Sequence, residues 1–108
     1  RRATPRYDVE LDVEITLVGS QRPLRGRTRD LSEAGMQIVM PAAIRQGRLV
    51  EFSCPVFAGT AQTVWCREEG SEVRIGLRFV SLSPEDRKAL LDVVARLRKA
   101  AVATTDWE

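Results

Sequence analysis

Histidine is absent from this 108-residue sequence, and its two cysteines, Cys54 and Cys66, lack the spacing of metal ligands. The first absence removes the commonest general base, and the two together leave a zinc ion without an obvious ligand set. No serine or cysteine stands in a recognisable nucleophile motif, so the chain is not expected to be an enzyme. There is neither an apolar run of about 18 residues nor a signal peptide, which predicts a soluble, cytoplasmic chain without membrane insertion. The first residue is Arg1 rather than Met, compatible with excision from a longer protein. Aromatic residues are few, three Phe, two Trp and one Tyr. They form no ladder for stacking successive bases, which argues against a nucleic-acid polymer at Arg22, Arg25, Arg27 and Arg29. Lysine is scarce as well, since Lys88 and Lys99 are the only two among 17 cations. Arginine suits forked recognition of phosphate and guanine, although a GC-rich genome gives the same bias.

What is present describes one small globular domain, with 44% hydrophobic and 30% charged residues and a formal net charge of +2. Val9, Leu11, Val13, Ile15 and Leu17 alternate with polar residues, the period of a half-buried strand. Further strands are predicted over 24–29, 36–40, 49–54, 61–67 and 73–79, separated by turn residues such as Gly19, Pro41, Gly47, Pro55, Gly59 and Gly70. Six short antiparallel strands with brief connections predict a barrel or sandwich. Cys54 and Cys66 fall in strand-like runs and are expected as buried free thiols. The last element is different. Ser83, Pro84, Glu85 and Asp86 form a helix start, and Leu90, Val94, Leu97 and Ala101 follow at helical spacing. A helix over about 84–102 is predicted, with Arg96, Arg98 and Lys99 near its C-terminal end. Residues 104–108 read as a tail in which Trp107 has no evident role.

Two constellations could carry chemistry. Arg2-Ala3-Thr4-Pro5-Arg6 places two guanidinium groups on an extended arm, roughly 13 Å apart at about 3.3 Å per residue. Taken alone it reads first as a disordered basic tail. Asp30-Leu31-Ser32-Glu33-Ala34-Gly35 offers a carboxylate, a hydroxyl and bare backbone, with Gly35 expected at positive φ. Taken alone it is equally a plain strand–turn–strand connection.

Taken together, the two motifs around one strand hairpin resemble the PilZ domain family. The resemblance continues through Val64-Trp65, through Gly76-Leu77-Arg78-Phe79 and into the C-terminal helix. It implies a mainly β fold, a six-stranded antiparallel barrel with that helix. Residues 1–8 would form an arginine-rich ligand-binding arm, 9–103 the barrel and helix, and 104–108 the tail. It also implies a receptor for cyclic di-GMP, with no metal or resident cofactor. Arg2 and Arg6 would grip phosphates and guanine faces, Asp30 and Ser32 would contact guanine, and Gly35 would keep the turn open. In this family an arginine at the position of Arg1 accompanies two stacked ligand molecules. Trp65 and Arg74 could reach the same face, although core packing and a solvated strand face account for them individually. The arm would order over the barrel when ligand binds and present a surface to an effector domain or protein. A ligand-linked homodimer is a further expectation. The alternative is a protein–protein interaction scaffold with little or no nucleotide binding.

Overall fold

The computed structural model describes residues 4–106. Its elements run β1 (Tyr7–Asp8), β2 (Asp12–Leu17), β3 (Leu24–Leu31), β4 (Gly35–Met40), β5 (Leu49–Ser53), β6 (Ala58–Glu69), β7 (Glu72–Ser81) and α1 (Pro84–Asp106). All pairings are antiparallel, in the order β1-β3-β2-β5-β6-β7-β4, and a β3–β4 pairing closes β2–β7 into a six-stranded barrel. The six expected strands are therefore present, and β1 is one more.

The first predicted strand is interrupted. Val9 to Leu11 leave the ladder, so that Asp8 faces Asp30 while Asp12 faces Arg27. Thr28 bridges the break: its hydroxyl donates to the Val9 carbonyl at 2.6 Å and accepts from Leu11 N at 2.9 Å. Those bonds account for a threonine that is only 1% exposed inside the barrel wall.

The core follows the period of two. Val13, Ile15, Met36, Ile38, Met40, Val50, Ile75 and Leu77 point inward, and Phe52, Phe57 and Phe79 meet with ring centroids 5.4–5.8 Å apart. Leu90 and Val94 of α1 join this core. At the helix start, Ser83 Oγ accepts from Asp86 N at 3.1 Å and donates to Asp86 Oδ2 at 2.7 Å. The other carboxylate oxygen of Asp86 accepts from Ala58 N at 3.0 Å and so ties the cap to β6. Because α1 continues to Asp106, Arg96, Arg98 and Lys99 lie within the helix and not at its C-terminal end, and no basic residue occupies the last turn.

The thiols depart from expectation. Cys54 is only half-buried, and its ionisation is pushed up chiefly by burial. Cys66 is exposed, because it lies beyond the residues of β6 that cover the core.

Candidate functional site

Four residues from four strands form one transverse row on the outer wall. Asp30 of β3 faces Gln37 of β4, Gln37 faces Gly76 of β7, and Gly76 faces Trp65 of β6. At about 4.8 Å per strand the row spans roughly 14 Å. A second row, Arg27, Val39, Arg74 and Arg67, lies on one side, and Gly35, Arg78 and Gln62 lie on the other.

Both ends of the first row depend on a β-bulge. The β3 register shifts between Thr28 and Asp30, and the β6 register shifts between Thr63 and Trp65. Thr28 and Thr63 face the interior, so strict alternation would turn Asp30 and Trp65 inward too. The extra residues, Arg29 and Val64, turn them outward instead. Trp65 is therefore a wall residue and not part of the core. Its indole lies over Gly76, where any Cβ would overlap the ring.

The two motifs meet at this row. Arg6 Nη1 donates to Asp30 Oδ1 at 3.0 Å, and the same oxygen accepts from Gln37 N at 3.2 Å. Asp30 Oδ2 accepts no bond from a described residue. Arg6 forms a wall common to two hollows. One, of about 560 Å³, is lined by Arg6, Gln37, Trp65, Cys66 and Arg67. The other, of about 240 Å³, is bounded by Thr4, Arg6, Ser32, Gly35 and Arg78 among others.

Cations crowd the same wall. The Arg67 guanidinium sits 5.1 Å from the centroid of the Trp65 ring, a cation–π contact. Arg78 bonds the Gln62 side chain, and neither Arg67 nor Arg78 has a carboxylate partner among the described residues. Arg74 Nη2 donates to Glu69 at 3.1 Å, and Arg74 Nε is buried without a partner among the described residues.

The remaining sequence candidates divide. Ser32 is 2% exposed, and its hydroxyl is committed to the turn. It accepts from Ala34 N and Gly35 N, each at 3.1 Å, and donates to the Gly35 carbonyl at 3.3 Å. Gly35 does not adopt the expected positive φ, which belongs to Gly19, Gly47 and Gly70. It is extended at the start of β4, and a Cβ there would overlap the Leu77 carbonyl oxygen. Arg1, Arg2 and Trp107 lie outside the described residues. Sequence reasoning missed Gln37, Arg67 and Arg78. Alternation against Met36 and Ile38 places Gln37 outside, and alternation against Leu77 and Phe79 does the same for Arg78. Arg67 follows from no such pattern, because the Val64 bulge resets the face.

Fold and site together define a small closed β-barrel whose outer wall carries an arginine-lined hollow with an indole platform. The chain belongs to the PilZ domain family, whose model matches residues 1–96. The Escherichia coli YcgR PilZ domain, solved with c-di-GMP, is similar with a TM-score of 0.76 at 22% identity, covering 98% of each chain. The Bacillus subtilis inhibitor of motility MotI/DgrA is similar with a TM-score of 0.78 at 18% identity, over 93% of this chain and 52% of that one. A longer YcgR chain in complex with c-di-GMP gives 0.74 at 24% identity, over 98% and 50%. This chain thus spans about half the length of those last two proteins. Comparison with curated protein sequences gives no match.

Proposed function

We propose that this domain is a receptor for cyclic di-GMP and that it relays ligand occupancy to a partner domain or protein. The observation that carries the reading is the row Asp30–Gln37–Gly76–Trp65, with Arg6 joining the first motif to its end.

The chemistry on the wall suits a ligand with two phosphates and two guanines. Arg6 keeps donors beyond the one bound to Asp30 and can fork onto phosphate or onto guanine O6 and N7. Asp30 Oδ2 can accept from the guanine N1–H and exocyclic amine. The Trp65 face and the Arg67 plane offer stacking for a purine, and the missing Cβ at Gly76 lets the indole lie flat against the wall. In this reading Ser32 acts by holding the turn that presents Gly35.

Residues 1–8 serve as the arm in this proposal. Arg2 adds a second grip, Arg1 accommodates a second stacked ligand molecule, and ordering of the arm against the barrel is the signal. The partly buried Arg74 supports the wall and supplies a further cation for that second molecule. Cyclic di-GMP support by members of the same fold, together with both motifs intact here, favours a receptor over a bare interaction scaffold.

The experiment is calorimetric titration with cyclic di-GMP beside cyclic di-AMP. Saturable binding of the guanine ligand, with at least tenfold preference at about 1.4 kcal/mol per decade, supports the reading. Equal binding of both, or of neither, overturns it. The same titration gives a stoichiometry of one or two.

A further inference from the structure

Arg98 of α1 touches a neighbour of each motif. Its Nε lies 3.4 Å from the Tyr7 hydroxyl, and its Nη2 lies 3.5 Å from Glu33 Oε2. Tyr7 immediately follows Arg6 in the chain. Glu33 sits within the turn that Ser32 organises, between that serine and Ala34. One guanidinium therefore joins the helix to the end of the arm and to the Asp-x-Ser-x-x-Gly turn. Arg98 lies past residue 96, where the match to the family model ends.

The geometry of β1 makes this contact a lever. Successive residues of an extended segment point to opposite faces. Arg6 is directed to the outer wall and Asp30, while Tyr7 packs against the core alongside Ala89, Val93 and Leu97 of α1. The strand has only two residues, paired with Leu31 and Asp30, and the chain on either side of it is held by the Arg6–Asp30 pair and by Val9 N on the Arg29 carbonyl. A displacement of Arg6 by ligand moves Tyr7 with it, and the Tyr7 hydroxyl is a partner of Arg98.

We infer that α1 is the output element of the domain, and that Arg98 couples it to the ligand site through Tyr7 and Glu33. The inference rests on the receptor reading. Ligand that draws Arg6 and the turn toward the hollow changes the Arg98 contacts, and the helix from Val94 onward changes its local stability. Arg98 touches no part of the proposed hollow, so it is a positioning residue.

The test is backbone hydrogen exchange of the full chain with and without cyclic di-GMP, together with calorimetry, for wild type, Arg98→Ala and Tyr7→Phe. Arg98→Ala changes an exposed side chain, and Tyr7→Phe retains the packed ring while removing only the hydroxyl. In wild type, exchange at residues 94–101 is expected to change by about fivefold or more on ligand addition. In Arg98→Ala affinity is expected to stay within about fivefold, since that side chain lines neither hollow, while in both variants the helix response falls to under about half. Unaltered helix exchange in ligand-bound wild type, or a full response in both variants, overturns the coupling and leaves the receptor reading intact. Absence of binding by wild type overturns both.

Discussion

Arg6 Nη1 and Asp30 Oδ1, separated by 24 positions in sequence, form a 3.0 Å ion pair that joins the two motifs at one end of the row. Their side chains are 25% and 14% exposed, so the pair is partly screened from water, and Gln37 N shares the carboxylate. Breaking the pair from either side has different consequences. Arg6→Ala removes the proposed phosphate grip and is expected to weaken cyclic di-GMP binding by about 100-fold, from two charge-assisted bonds at about 1.5 kcal/mol each. Asp30→Ala frees Arg6 while removing the proposed base contact, with an expected loss of about tenfold. Calorimetry checks both, and the barrel's thermal transition is expected to persist in each.

Gly76→Ala tests the indole platform. The added methyl has no space beneath Trp65, so the ring must leave its position over β7. The expected result is a shift in tryptophan emission and a loss of affinity of about tenfold, corresponding to one base-stacking contact of about 1–3 kcal/mol. Equal affinity in Gly76→Ala and wild type would mean that the platform does not hold a base.

The thiols should differ in reactivity. Burial raises the Cys54 pKa, and its Sγ donates to the Phe57 carbonyl at 3.2 Å, whereas Cys66 is exposed. Since the thiolate is the nucleophile, Cys66 is expected to react first with iodoacetamide near pH 8. Cys54 remains the protonated thiol to a higher pH than usual, and its modification should accelerate only as the pH rises further or the fold opens. The sign for stability is the same: this contribution is present below the ordinary thiol pKa and is lost as pH rises through the raised one. Mass spectrometry over a pH series reads the order of labelling.

Helix docking should contribute measurably to stability. Leu90 is fully buried where α1 meets the barrel. Leu90→Ala is expected to cost about 2–5 kcal/mol, a fall in Tm of the order of 10–30 °C for a domain of this size. Asp86→Ala removes both the reciprocal bond to Ser83 and the tether to Ala58, and is expected to cost about 1 kcal/mol. Thermal denaturation followed by circular dichroism separates the two.

Much of the barrel was legible because its strands obey a period of two and its helix carries its own start signal. Val13, Ile15, Ile38, Ile75 and Leu77 fell where alternation puts them. The break at Val9–Leu11 was not legible, since it depends on hydrogen bonds from Thr28 on a different strand. Asp30 was legible as a site candidate through its motif. Trp65 was assigned more readily to the core, because nothing local announces the extra residue at Val64. Gly35 was singled out for a conformation it does not adopt, since the requirement comes from the Leu77 backbone across the sheet. Local rules describe a strand by itself, whereas the wall is made by pairing.

The two bulges make chain length itself a determinant of binding. Arg29 and Val64 are each one residue added to a ladder, and each reverses the direction of the next side chain in the row. Removing either would point a carboxylate or an indole into an already filled interior. A single-codon deletion at position 29 or 64 would therefore alter recognition more than most replacements could, even where every recognised motif residue is retained. Among sequences of this kind, the count of residues between Thr28 and Asp30, and between Thr63 and Trp65, is as informative as their identities.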